Sequence, residues 1–301
     1  MINMRSRPMQ CLKSISVLLL LSAVIISLYW SITSKTTTFA PVDTSQSKAE
    51  ITYRQFADPL SNEDVSLMQS TLWEFTQTLE MANITYFMIE GTLLGSYRHH
   101  GRIPWDDDVD LIVNRGDKPK LKQLFRNTSA YVFMNAFGGK NHWKFFPKDG
   151  HLVSDYPFRS PFIDVFWFEE NASHVFYTGP FWGEFLKSDI FPLRRRPFGE
   201  FMLAAPCNTT AYLQVAGFDI DQCVSRSMNH LDNIFLEDTK TVPCSELASI
   251  HPFVTLRRRQ ELTSYGKTFV IESLTLNGTV IKQWSYEDRE CGYNATFPSP
   301  H

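Results

Sequence analysis

The sequence predicts an α+β fold, α/β-like in its first half, with a small mixed β-sheet flanked by helices and set behind an N-terminal transmembrane helix. Three observations lead there. After residue 50 the apolar periodicity runs helix, strand, helix, strand, helix, and then mostly strands. The 301 residues are 43% hydrophobic and 20% charged with 24 Phe, a globular composition able to bury a large core. Residues 14–34 carry no charge at all. The formal net charge of −3 argues against a general nucleic-acid binder, which needs a basic face to displace counterions from phosphate.

As a helix, residues 14–34 would span roughly 30 Å, the thickness of a bilayer's hydrocarbon core. Arg5, Arg7 and Lys13 precede the run and only Lys35 closely follows it, so the positive-inside rule keeps residues 1–13 in the cytosol. A cleaved signal peptide is the alternative, but its apolar core would be about 7–15 residues. Residues 35–50 are Thr/Ser-rich and read as a stem, leaving residues 51–301 as a luminal domain. Six N-x-[ST] sequons, at Asn83, Asn127, Asn171, Asn208, Asn277 and Asn294, fit a luminal surface. Cys207, Cys223, Cys244 and Cys291 suggest two disulfides, with three connectivities open.

Ser61 with Asp64 three residues on reads as a capped helix start. Val65, Met68, Leu72, Phe75, Leu79 and Ala82 then recur at spacings of three and four, one apolar helical face. Residues 84–89 form a short β-rich run that Gly91 and Thr92 end, and 93–99 have helical spacing. Residues 109–113 make a second strand and 117–125 a helix, while 131–137, 143–146 and 162–168 read as strands. Beyond Phe185 the signals are mixed.

Asp106, Asp107, Asp108 and Asp110 place four carboxylates within five residues. On a strand, Asp106, Asp108 and Asp110 would share one face. Carboxylates that close repel one another unless a cation lies between them, and a hard divalent ion such as Mg²⁺ or Mn²⁺ suits an all-oxygen donor set. A solvated acidic loop is the bland alternative, but Trp105 precedes the acids and Val109, Leu111, Ile112 and Val113 follow them. An EF-hand reading fails at Leu111, where the loop needs Gly. Asp164 sits alone in the apolar run Phe162-Ile163-Asp164-Val165-Phe166, and a lone buried carboxylate is costly. A third metal ligand beside Asp108 and Asp110 would explain it. Upstream, Gly91 and Thr92 occupy a strand-to-helix junction where free N–H groups would meet phosphate.

The segment GTLLGSYRHHGRIPWDDDVDL resembles the signature of the LicD / fukutin / fukutin-related protein family. The later FIDVFWF and FPLRRRPFGEFMLAAPCNTTAYL resemble that family's following segments, in the same order. The resemblance implies a nucleotidyltransferase fold of the DNA polymerase β superfamily. It also implies a Golgi type II protein that moves a phospho-alcohol, of the ribitol phosphate or phosphocholine type, from a CDP-linked donor to a glycan. On the matching positions, Asp108 and Asp110 are the D-x-D pair, Asp164 the third acid and Asp106 an additional metal acid. Gly91 and Thr92 are the phosphate-side turn, and Arg98 the basic residue.

These readings together give metal-dependent transfer with release of CMP, Asp108, Asp110 and Asp164 being catalytic and Arg98 and Lys144 gripping phosphate oxygens. For Lys144 a surface lysine is the alternative, and for Arg194, Arg195 and Arg196 a solvated turn competes with an anion patch. Two rival functions stand beside this one: a Golgi glycosyltransferase using a nucleotide sugar, and a non-catalytic glycan-binding protein.

Overall fold

The computed structural model describes residues 53–138, 142–178, 183–260, 268–288 and 291. The predicted tail, anchor and stem at 1–50, and the sequon at Asn294, lie outside the described residues. Among the described residues no helix is long and apolar enough to cross a membrane.

The fold is mixed α+β. Helix α1 (Asn62–Met81) starts as its sequence requires: Ser61 accepts from the Asp64 amide, and Asp64 in return accepts from Ser61, a reciprocal cap. Its apolar face buries Met68, Leu72, Phe75 and Leu79, with Phe75 packed on Phe125 and Phe145. β1 (Tyr86–Met88), α2 (Glu90–His99) and β2 (Val109–Asn114) follow, then α3 (Lys118–Leu124) and β3 (Tyr131–Met134). Next come β4 (Trp143–Pro147), β5 (His151–Leu152), β6 (Arg159–Ser160), β7 (Ile163–Glu170), β8 (His174–Thr178) and β9 (Glu184–Leu186).

The main sheet has the order β1-β2-β7-β4-β3, with β8 paired to β7 and β9 to β8. β2 and β7 run parallel and the other pairs are antiparallel. A parallel pair buried on both faces needs continuous apolar strands, and Leu111, Ile112, Val113, Val165 and Trp167 supply them. Among the described residues of 158–178 and 183–185, Phe158, Phe162, Phe168 and Phe185 belong to the core.

The second half of the chain is a set of small appended sheets. α4 (Lys187–Ile190) leads into the hairpin of β10 (Arg194–Phe198) and β11 (Phe201–Ala205), so the three arginines lie on a strand and not in a turn. After α5 (Thr209–Val215), β12 (Gln222–Val224) pairs with β15 (Thr241–Pro243), and β13 (Met228–Asn229) with β14 (Ile234–Phe235). The antiparallel β16 (Phe253–Gln260), β17 (Thr268–Leu276) and β18 (Thr279–Glu287) close the chain. Periodicity hid these elements because their faces are half-exposed and several are two or three residues long.

The cysteines pair as Cys207–Cys291 and Cys223–Cys244. The last sheet is tied to the centre by a fully buried ion cluster. Glu272 accepts two bonds from Arg196, each 2.9 Å, and lies 2.8 Å from His100 Nε2 at the end of α2. Of the sequon asparagines, Asn83, Asn127, Asn171 and Asn277 are exposed, but Asn208 is half-buried and caps α5.

Gly95 lets α2 press on the loop that carries the acids. A Cβ there would stand 2.5 Å from Gly101 O and 2.8 Å from Ile103 N, both backbone atoms. Gly95→Ala should therefore cost about 1–3 kcal/mol or more in urea unfolding, despite alanine's better helix propensity. An unchanged midpoint would show that the loop yields freely.

Candidate active site

The site is assembled by strand pairing. In the parallel β2–β7 register Asp110 stands directly opposite Asp164, and in the antiparallel β4–β7 register Asp164 stands opposite Lys144. Directly paired residues project from the same face. Strands lie about 4.8 Å apart, so the sheet holds Asp110, Asp164 and Lys144 in one row. Asp108, two residues before Asp110, joins them. Asp108, Asp110 and Asp164 each offer an oxygen within 4.8 Å of the others'.

Asp106 does not share the strand face expected of it. Strand β2 begins only at Val109, and Asp106, Asp107 and Asp108 belong to the preceding loop. Asp106 groups instead with Asp107 and His230. Asp107 turns fully inward, where it accepts from Arg226 at 2.9 Å, His230 N at 3.0 Å and His230 Nδ1 at 2.7 Å. His230 Nε2 lies 3.2 Å from Asp108, so the imidazole bridges neighbouring acids.

Lys144 is buried, not a surface lysine, and donates to both oxygens of Asp164 at 2.7 and 3.0 Å. Its ammonium also lies 3.3 Å from the Phe162 ring centroid, an attractive contact for a desolvated cation. His142 Nε2 approaches Asp164 at 3.3 Å.

Gly91 and Thr92 stand in the first turn of α2 and serve the acid loop. A Cβ on Gly91 would lie 2.9 Å from Asp106 Oδ2. Thr92 is buried, and its hydroxyl accepts from the Asp110 amide at 2.7 Å, fixing the start of β2. Arg98 is buried, and its guanidinium donates to the carbonyls of Asp219, Ile220 and Gln222, so it braces the 219–223 loop. The residue before the motif glycine, Glu90, sits at φ 46°, a backbone strain of the kind that collects at functional sites.

Four residues here escaped the sequence reading: Glu90, His142, Arg226 and His230. Glu90 adjoins the quoted motif and carries a visible charge. His230 and Arg226 follow Asp107 by more than a hundred residues, and nothing local announces them.

Electrostatically, burial raises the Asp106 carboxyl to about 8, with Asp108 adding to the shift. Burial, then Asp108, Asp164 and Glu90, lifts Asp110 well above the carboxylate range, and burial lifts Glu90 to about 7. Burial works to lower the His230 imidazole, but Asp108 and Asp107 outweigh it and bring it to about 9. Burial also works to raise Asp107, where His230 and Arg226 prevail and hold it below its usual value. The site is thus an acid row short of positive charge, braced from below by Asp107 and its two cations.

This acid row, carried by a parallel strand pair and the loop before it and set beside a Gly-Thr helix start, has the donor chemistry to hold a divalent cation. Residues 83–208 match the family model described as LicD/FKTN/FKRP, nucleotidyltransferase domain. The mouse ribitol 5-phosphate transferase FKRP is 29% identical over 159 residues, 46% of this chain and 28% of that protein. The human protein of the same name is 28% identical over the same shares. The lipopolysaccharide cholinephosphotransferase LicD of Haemophilus influenzae is 44% identical over 63 residues, 21% of this chain and 24% of that protein. The matches span about a quarter of the length of these named relatives.

The raised groups carry a linkage consequence. Asp106 and Glu90 hold protons in the folded chain that they lose when unfolded, and His230 does the same above its unfolded value near 6.5. The folded state therefore binds more protons, and stability falls as pH rises. In chelator-treated protein, scanning fluorimetry should find the Tm dropping by at least about 2–4 °C between pH 6.5 and 8, the shift of about 1 kcal/mol in a domain of this size. Asp106→Asn should flatten that slope. A Tm rising over the window would contradict it.

Proposed function

We propose that this protein is a metal-dependent phosphotransferase that moves a phospho-alcohol from a CDP-linked donor to a glycan hydroxyl and releases CMP. The observation that carries this reading is the row Asp108, Asp110 and Asp164, whose oxygens converge from two parallel strands and the loop that leads into the first. The relatives' names support the class of group moved, ribitol 5-phosphate in one and phosphocholine in another. The fold we assign to the domain is the nucleotidyltransferase fold of the polymerase β superfamily.

The donor set fits Mg²⁺ or Mn²⁺: three hard carboxylates close enough to repel, with Asp108 and Asp110 shifted toward the neutral form in the absence of a cation. A bound ion there would supply Lewis-acid neutralisation of the charge that grows on the departing CMP. The chain's residues do the rest. Asp108 and Asp110 hold the ion side of the row, and Asp164 receives the proton of the acceptor hydroxyl as its oxygen attacks the phosphorus bearing the alcohol. Lys144 orients Asp164 and offers its ammonium to phosphate oxygens. His230, steered by Asp107, fixes the Asp108 carboxylate. The bond from that phosphorus to the CMP oxygen breaks, and CMP leaves.

We further infer a single-pass type II protein of the Golgi membrane, with residues 14–34 as anchor, 35–50 as stem and 51–301 in the lumen. The two disulfides and the exposed sequons Asn83, Asn127, Asn171 and Asn277 support an oxidising, glycosylating compartment.

The test is a panel of CDP-ribitol, CDP-choline and UDP-sugars with liberated nucleotide measured at fixed Mn²⁺. One CDP-alcohol should release CMP, and Asp110→Asn should lower that rate by at least about 100-fold, as loss of a preorganised electrostatic group does. Full activity of a folded Asp110→Asn protein removes the mechanism. Release from a UDP-sugar alone replaces the donor class.

A further inference from the structure

The arginine run at 194–196 and the sequon at Asn208 are two features the acid row does not use, and the fold brings them to one place. A cavity of about 770 Å³ is lined from β10, α5, β16, β17 and β18. That volume lies in the range of about 300–1,000 Å³ typical of small-ligand cavities. Trp284 and Tyr286, two apart on β18 and so on one face, line it with their rings stacked at 4.6 Å between centroids.

The charges on its wall are already balanced. Arg195 meets Glu80 at 2.5 Å, Arg196 meets Glu272 at 2.9 Å, and Arg258 meets Asp288 at 3.1 Å. The Arg194 guanidinium lies 5.9 Å from the Tyr286 ring centroid, and Asp189 adds a fourth lining or paired carboxylate. A phosphate would have to break these pairs. A neutral pyranose would not: it presents an apolar C–H face to the outer side of the aromatic pair and a rim of hydroxyls to the spare lone pairs of the carboxylates.

Asn208 is on the same wall. Its Oδ1 accepts from the Ala211 amide at 3.2 Å, and its Nδ2 donates to Asp189 Oδ1 at 3.0 Å. Attaching a sugar to Nδ2 replaces the amide hydrogen syn to Oδ1, leaves the anti hydrogen as a donor and leaves the helix cap through Oδ1 untouched. The side chain can therefore carry a glycan and keep its cap.

We propose that this cavity is a seat for a neutral saccharide. The sugar has two possible sources, the glycan on Asn208 itself or a glycan chain brought by another molecule; the first rests on the luminal reading above, the second on the glycan-acceptor reading. The cavity is separate from the acid row, so Asp110→Asn leaves it intact.

The experiment uses the full chain made in a secretory eukaryotic host, with Trp284→Ala and the apolar, non-aromatic Trp284→Leu as variants checked for unchanged Tm. Glycopeptide mass spectrometry gives occupancy, and native digestion with a peptide N-glycosidase gives release rates. An Asn208 glycan released at least about tenfold more slowly than those on Asn83 and Asn127, with protection lost in either variant, supports the first source. An empty Asn208 with saturable quenching of tryptophan fluorescence by chitobiose, lost in either Trp284 variant and kept in Trp73→Ala, supports the second. Equal release rates at all sites, or an empty Asn208 with no saturable response to chitobiose, overturns the seat. If Asn83, Asn127 and Asn171 are empty as well, the luminal reading fails separately, and the chitobiose result alone decides the cavity.

Discussion

The parallel pairing of β2 with β7 is the constraint on which the rest depends. It sets Asp110 against Asp164 in adjacent strands, and a third strand adds Lys144 to the same row. Two carboxylates at strand spacing are repelled in a low-dielectric surrounding, so the arrangement persists only because the apolar strands around it are buried and give the register no freedom to slip. A one-residue shift of β7 would turn Asp164 into the opposite face and leave Lys144 without its acid.

The surrounding residues make this repulsive arrangement sustainable. Thr92 pins the Asp110 amide near the start of the acid strand, and the small residues at 91 and 95 let α2 approach the loop closely enough to do so. Asp107 illustrates how one sequence run splits into unlike roles. It is the most deeply buried of the four clustered acids, and its partners hold it ionised. It thereby anchors His230, which reaches the next acid along. The hairpin bearing His230 is joined to the centre by this polar contact, by Arg226 on the same Asp107 and by Leu231 packed on the core.

Much of the first half was legible because its signals are local. The cap at Ser61, the helical face of α1 and the apolar strands at 109–113 and 162–168 all announce themselves within a few residues. Asp164 was legible for a physical reason, the cost of an acid in an apolar strand. Asp106 was misplaced because alternation assumes a strand already under way, and the chain enters β2 only after Asp107 has turned inward. Arg98 looked free beside a charged motif, yet its partners are carbonyls some 120 residues later. Lys144 had the same signature as Asp164, a charge inside the apolar run Trp143-Lys144-Phe145-Phe146, and the same argument applied to it would have buried it. The small sheets after residue 185 were illegible because tertiary ties and disulfides, not periodicity, hold them.

The buried knot of Arg196, His100 and Glu272 has a consequence for how the chain tolerates truncation. Glu272 is the sole acid named in that knot, and it is delivered by the penultimate strand, long after the catalytic segment is complete. A premature stop before it would spare every residue of the acid row and yet remove β18 and most of β17, uncovering Arg196 and leaving β16 without its partner. Nonsense alleles upstream of Glu272 should therefore behave as folding mutants, cleared by quality control, and not as shortened but working enzymes.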